Sequence, residues 1–89
     1  MKEERFLVKK YGTRVLTLKG FKHLCLALKD NELVYNIMDW YKNVAKEINS
    51  TFSIVERNIR YFKSFVGEDD KKNQEFINNL IIEYNSTNK

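Results

Sequence analysis

Proline is absent from this 89-residue sequence, and glycine occurs only three times. A turn-rich β sandwich draws on both at its many tight turns, so their scarcity favours helices. There is one cysteine and one histidine. A single thiol excludes a disulfide framework and a multi-cysteine zinc site, and a lone imidazole excludes a multi-histidine metal site. Long hydrophobic runs are missing as well. The longest wholly apolar stretch is Leu24-Cys25-Leu26-Ala27-Leu28, far short of the roughly 20 residues a membrane span needs. The opening Met1-Lys2-Glu3-Glu4-Arg5 has no apolar segment behind it, so no signal peptide is visible and a cytoplasmic location is expected. There is no Gly-rich phosphate loop and no nucleophile–base pair. Glu68, Asp69 and Asp70 lack the ligand spacing of a calcium loop and instead suit the end of one helix and the start of the next. No catalytic residue, cofactor or metal is therefore expected, and the chain is not expected to be an enzyme.

What is present is the mix of a folded chain: 43% hydrophobic, 31% charged and 13% aromatic residues. That much aromatic area lets one small core bury useful surface, and the length leaves room for one domain, residues 1–89. The net charge of +4 is uneven: residues 1–30 hold eight Lys/Arg against three Asp/Glu, whereas residues 31–89 hold eight against nine. Mildly basic charge permits nucleic-acid binding without demanding it.

Apolar spacing organises the chain. Residues 3–11 suit a short helix with Phe6, Leu7 and Tyr11 on one side and Gly12 as its left-handed stop. Thr13 to Leu18 alternates and is β-branched, which favours an extended connector. Phe21, Leu24, Cys25 and Leu28 fall at i, i+3, i+4 and i+7, the core stripe of a helix over Lys19–Lys29 that Asp30-Asn31 interrupts. A helical stretch from Glu32 follows, with Leu33, Ile37, Tyr41, Val44 and Ile48 in period. A break near Met38-Asp39 would divide it in two. Asn49-Ser50-Thr51 is a polar turn in which Asn accepts the left-handed conformation. Ser53 and Glu56 are spaced as a capping box for the next helix, which carries Val55, Ile59, Phe62 and Val66. Gly67 to Asp70 ends it. The last helix starts around Asn73 as N-cap and buries Phe76, Ile77, Leu80, Ile81 and Tyr84, with a polar, frayed tail from Asn85 to Lys89. His23 reads as a surface residue, Cys25 as a buried small hydrophobe, and Trp40 and Tyr41 as core.

Residues 41–63 form the strongest constellation. One helix ends at Ile48, three residues turn and another helix begins, with the small Ala45 three residues before that end. This is the pattern of a helix-turn-helix, whose second helix lies in the DNA major groove. Its outward face would carry Ile54, Arg57, Asn58, Tyr61, Arg60 and Lys63. Arg can bond two guanine acceptors at once, and Asn does the same for adenine. Ser50, Thr51 and Ser53 lie near the helix N-terminus, where hydroxyls and free N–H groups hold phosphates.

The run Val44-Ala45-Lys46-Glu47-Ile48-Asn49-Ser50-Thr51-Phe52-Ser53-Ile54-Val55-Glu56-Arg57-Asn58-Ile59-Arg60 resembles the helix-turn-helix of the effector domains of the master sporulation response regulators of endospore-forming bacteria. Leu18-Lys19-Gly20-Phe21 is similar to the start of that family's second helix, and Asn73-Gln74-Glu75-Phe76-Ile77 to the start of its last. The similarity touches residues 12–84 in the family's order. Ile54 stands where the family has Arg, Tyr61 where it has His, and Asn58 where it has Ala, and the segment after Phe62 is shorter. The resemblance implies an all-helical domain that reads short DNA boxes, with Glu56, Arg57 and Arg60 at recognition-helix positions and Ser53 at the helix start.

The expectation is an all-α bundle of five or six helices containing a helix-turn-helix at about 41–63. It would be a sequence-specific transcriptional regulator on double-stranded DNA, paired with itself on DNA or touching RNA polymerase, without a receiver domain and without a membrane. Arg57 would bond base edges, Arg60, Lys63, Ser50, Thr51 and Ser53 would hold phosphates, and Glu56 would divide its role between the cap and a cytosine amino group. The alternative is a protein-interaction module that binds the full-length regulator or RNA polymerase without reading DNA, through Ile54, Tyr61 and Phe62.

Overall fold

The computed structural model describes residues 2–87, and every regular element among them is helical. The chain forms α1 (Lys2–Tyr11), a 3-10 helix (Thr13–Thr17), α2 (Gly20–Asp30), α3 (Ile37–Glu47), α4 (Phe52–Phe65) and α5 (Asn73–Thr87). The expected all-α bundle is what forms, with five α-helices.

Glu3 and Glu4 occupy the first turn of α1 and Lys9 and Lys10 its last, the charge order that suits the helix dipole. Gly12 stops the helix at φ 89°, its N–H donating to the Val8 carbonyl at 2.7 Å; glycine takes that backbone without strain. The expected extended connector is instead a 3-10 turn. Winding the segment puts Val15 alone into the core, while Leu16 and both threonines stay outside. Leu18 N–H then donates to the Val15 carbonyl at 3.1 Å, so backbone groups find partners without a neighbouring strand.

α2 buries Phe21, Leu24, Ala27 and Leu28. Asn31, left-handed at φ 60°, ends it by donating to the Ala27 carbonyl at 3.1 Å. Near its start α2 touches α4 backbone to backbone: a Cβ on Gly20 would lie 2.6 Å from the Asn58 carbonyl oxygen and 3.2 Å from Phe62 Cβ.

Residues 32–36 are not helical, which corrects the expected start near Glu32. Asn36 caps α3 by accepting from Asp39 N–H at 3.2 Å. Upstream, the Asn78 side chain grips both backbone groups of Val34, accepting from its N–H at 2.7 Å and donating to its carbonyl at 2.9 Å. These bonds hold Val34 in the core, and Leu33 faces out instead. α3 then buries Tyr41, Val44 and Ala45, while Trp40 is half-buried and Ile48 exposed.

α4 is the central element, packed on α2, α3 and α5. Val55, Ile59 and Phe62 are fully buried, and the Phe62 ring meets Tyr11 edge-on at 5.7 Å and Phe76 at 6.2 Å. After α4, Glu68 N–H closes on the Lys63 carbonyl at 3.0 Å. Glu68 accepts from Tyr11 OH at 3.0 Å and pairs with Lys71 at 3.2 Å, so the acidic run fastens the α4–α5 connection to α1. α5 buries the five expected residues. Asn73 is its first helical residue rather than its cap, because its side chain is drawn to Tyr41 OH, to which it donates at 2.9 Å. Asn85 to Thr87 remain helical, with Ser86 and Thr87 hydroxyls donating to the Ile82 and Tyr84 carbonyls; Asn88 and Lys89 lie outside the described residues.

Candidate nucleic-acid interface

α3 ends in a tight, fully bonded reversal. Asn49 sits in the left-handed region at φ 57°. Its N–H donates to the Lys46 carbonyl at 3.4 Å, and Ser50 N–H donates to the Ala45 carbonyl at 2.8 Å. This paired arrangement satisfies carbonyls that a helix end leaves free. Ala45 is buried beneath it, so α4 can cross close to α3.

α4 starts earlier than the spacing of Ser53 and Glu56 suggests. Thr51, extended at φ −116°, is the cap, and its hydroxyl accepts from Ile54 N–H at 3.4 Å. Ser53 is already inside the first turn and exposed, and Glu56 makes an ion pair with Arg60 at 3.6 Å instead of a cap. Sequence reasoning passed over Thr51 as cap because Thr51 and Ser53 both carry suitable hydroxyls. The register of the reversal at Asn49 decides between them.

The nine candidate residues divide by burial. Ser53, Arg57, Arg60 and Tyr61 share the solvent face of α4, with Glu56 half-buried beside them. Ser50 and Thr51 lie at its N-terminal end. Arg57 has no hydrogen bond or ion pair to any described residue and is exposed. Two expected members are absent from this face. Lys63 is only 8% exposed, and its ammonium donates to the Lys71 carbonyl at 2.6 Å. It occupies the core side of the helix and serves the α4–α5 connection. Asn58 turns inward toward α2, where its Nδ2 donates to His23 Nε2 at 3.0 Å.

That bond corrects the reading of His23, which is 4% exposed rather than on the surface. An amide nitrogen has no lone pair to offer, so Nε2 accepts and the ring proton sits on Nδ1. Nδ1 is buried with no partner among the described residues. Burial holds the imidazole below its usual pKa, so the ring is neutral. Cys25 is half-buried rather than buried, and burial together with Glu4 and Glu3 pushes its thiol up to about 11. Among the described residues no cluster of His, Cys, Asp or Glu could hold a metal, and no helix is long and apolar enough to cross a membrane.

Sequence reasoning did not place the basic N-terminal third beside α4, although its charge surplus was the available signal. Lys19, Lys22 and Leu16 line a groove of about 750 Å³ together with Ile48 and Asn58, and Glu4 and Glu47 also line it. The Arg14 guanidinium lies over the Phe65 ring at 5.3 Å, near the other end of α4. Lys10 is taken up by Glu83 at 2.6 Å. The chain matches no known family model, no curated protein and no solved structure.

Proposed function

We propose that this domain binds double-stranded DNA sequence-specifically, with α4 lying in the major groove. One observation carries the reading: the exposed, unpartnered Arg57 stands on the second turn of α4, beside Ser53 and beyond a tight reversal from α3. A guanidinium held there is free to bond guanine O6 and N7 together. The hydroxyls of Ser50 and Ser53, with Thr51 on its capping bond, stand at a helix N-terminus that favours a phosphate. Arg60 reaches a phosphate by exchanging Glu56 for it, a partly exposed pair that is cheap to break. Lys19 and Lys22 lie past the turn, in a groove that Glu4 and Glu47 also line. Asn58 and Lys63 drop out of the reading because both are engaged within the fold. The resemblance to the sporulation regulators supports the same function, and with it a regulatory role in the cytoplasm, on DNA as a pair of copies or beside RNA polymerase.

Selection of bound sequences from random duplex DNA tests this directly. A discrete enriched motif is expected. Arg57→Ala should then weaken binding to that motif by about 1–3 kcal/mol and relax preference at one base pair. Equal losses on the motif and on random DNA would refute base reading by Arg57.

A second reading has its own observation. Tyr61 is 61% exposed and packs against Phe65, with ring centroids 6.4 Å apart, and Ile54 lies further up the same side. Phe62, expected in this apolar surface, is fully buried, and Phe65 takes its place. Such a surface suits a protein partner. An unenriched selection would favour this interaction module.

A further inference from the structure

α4 carries two exposed rows. Ser53, Arg57, Arg60 and Ser64 form the polar one, and Ile54, Tyr61 and Phe65 form an apolar one beside it. The aromatic pair has company, since the rings lean on each other and Arg14 covers Phe65. Ile54 is 41% exposed, about 10 Å up the helix from Tyr61. It lies in the first turn of α4, the end from which a helix in the major groove reaches base edges. Its position is fixed twice over. Its N–H is held by the Thr51 hydroxyl, and a β-branched side chain in a helix keeps one χ1 rotamer. An aliphatic group has nothing to give a donor or an acceptor. The apolar feature that the major groove offers is the thymine 5-methyl.

Resting on the DNA reading above, we propose that Ile54 determines specificity for thymine, its side chain packing against the 5-methyl of a thymine close to the guanine that Arg57 bonds. Ile54 and Arg57 are three residues apart, a rise of about 4.5 Å, against about 3.4 Å per base-pair step. The thymine therefore falls within about two base pairs of that guanine.

The test uses the duplex enriched from random DNA, synthesised once with thymine and once with deoxyuridine, which lacks only the 5-methyl. Burying one methyl strengthens binding about fourfold, so the deoxyuridine duplex should bind the full chain about fourfold more weakly. Ile54→Ala should bind the two duplexes equally, and Arg57→Ala should weaken both while keeping their ratio. Alanine at this exposed helix position favours the helix, and an unchanged melting temperature verifies the fold. Equal binding of the two duplexes by the unaltered chain overturns the proposal and leaves the DNA reading standing. A ratio that survives in Ile54→Ala also overturns it, since another residue then touches the methyl. If no duplex is enriched or bound, both the proposal and the DNA reading fall.

Discussion

Lys63 looks in sequence like one more basic residue of a DNA-reading helix, and the fold gives it a different task that can be measured. Replacing it by alanine removes two contributions. The first is the 2.6 Å bond from its ammonium to the Lys71 carbonyl, of a charge-assisted kind worth about 1.5–3 kcal/mol net. The second is the packing of its buried stem, about 0.8 kcal/mol per methylene. Relief of the ammonium's desolvation offsets part of this sum, which leaves a loss of about 2–4 kcal/mol. In a domain of this size each kcal/mol moves the melting temperature by about 4–8 °C. Lys63→Ala should therefore melt at least about 8 °C lower by circular dichroism, and Lys63→Met, which keeps the stem, should fall between it and the unaltered chain. The proposed DNA binding provides the contrast. A true phosphate contact contributes about 0.9 to the slope of log K against log salt. Arg60→Gln should lower that slope by about this amount, and Lys63→Met should leave it unchanged. A melting temperature unmoved by Lys63→Ala, or a salt slope lowered by Lys63→Met, would refute the reasoning.

Gly20→Ala would place a methyl 2.6 Å from the Asn58 carbonyl oxygen, and forcing α2 from α4 should cost about 1–3 kcal/mol in denaturant unfolding; a neutral result would show that the two helices separate freely. Thr51→Ala should cost about 0.5–2 kcal/mol and Ser53→Ala much less, and the reverse order would restore Ser53 as the cap. Burial lowers the folded-state pKa of His23, so its ring is neutral in the folded chain and takes a proton more readily in the unfolded one. Stability should therefore be flat with respect to this group above the unfolded pKa near 6.5 and fall below it, by at most about 1.4 kcal/mol per pH unit. Melting curves of the unaltered chain and His23→Gln between pH 5 and pH 8, identical in slope, would show that His23 is not the group responsible.

The helices were legible because their apolar residues repeat. Phe76, Ile77, Leu80, Ile81 and Tyr84 define α5 without ambiguity, and Val55, Ile59 and Phe62 define the buried side of α4. The left-handed turn at Asn49 was also legible, since few residues accept that backbone. Periodicity said less where a bond between distant residues decides. Val34 rather than Leu33 is buried because Asn78, on another helix, grips its backbone. His23 is buried because Asn58 offers it a donor across the α2–α4 contact. Lys63 lies among the inward positions of α4 between Ile59 and Val66, and counting along the helix from Val55 would have placed it there. Its charge suggested the opposite face, and only the carbonyl of Lys71 shows why the core tolerates it.

The same long-range packing brings basic residues from the first third of the chain to a modestly basic helix. On its solvent face α4 itself offers Arg57 and Arg60, and Arg60 is shared with Glu56. Residues 1–30, which hold the charge surplus, are remote from it in sequence. Gly20 closes that distance, because without a side chain it lets α2 touch the α4 backbone at Asn58. Lys19 and Lys22 flank that contact, line the groove beside Ile48 together with Glu4 and Glu47, and stand near the turn that starts α4. Arg14, one turn earlier in the chain, is carried to Phe65 near the far end of the same helix. Basic residues thus come to lie near both ends of α4 although few belong to it. Exposed charges act over about 10 Å at moderate salt, so in the proposed complex these neighbours act on the DNA surface without touching a base. On the proposed DNA reading, Arg57 and Ile54 discriminate between bases, and the cations contributed by the first third of the chain supply attraction that is indifferent to sequence.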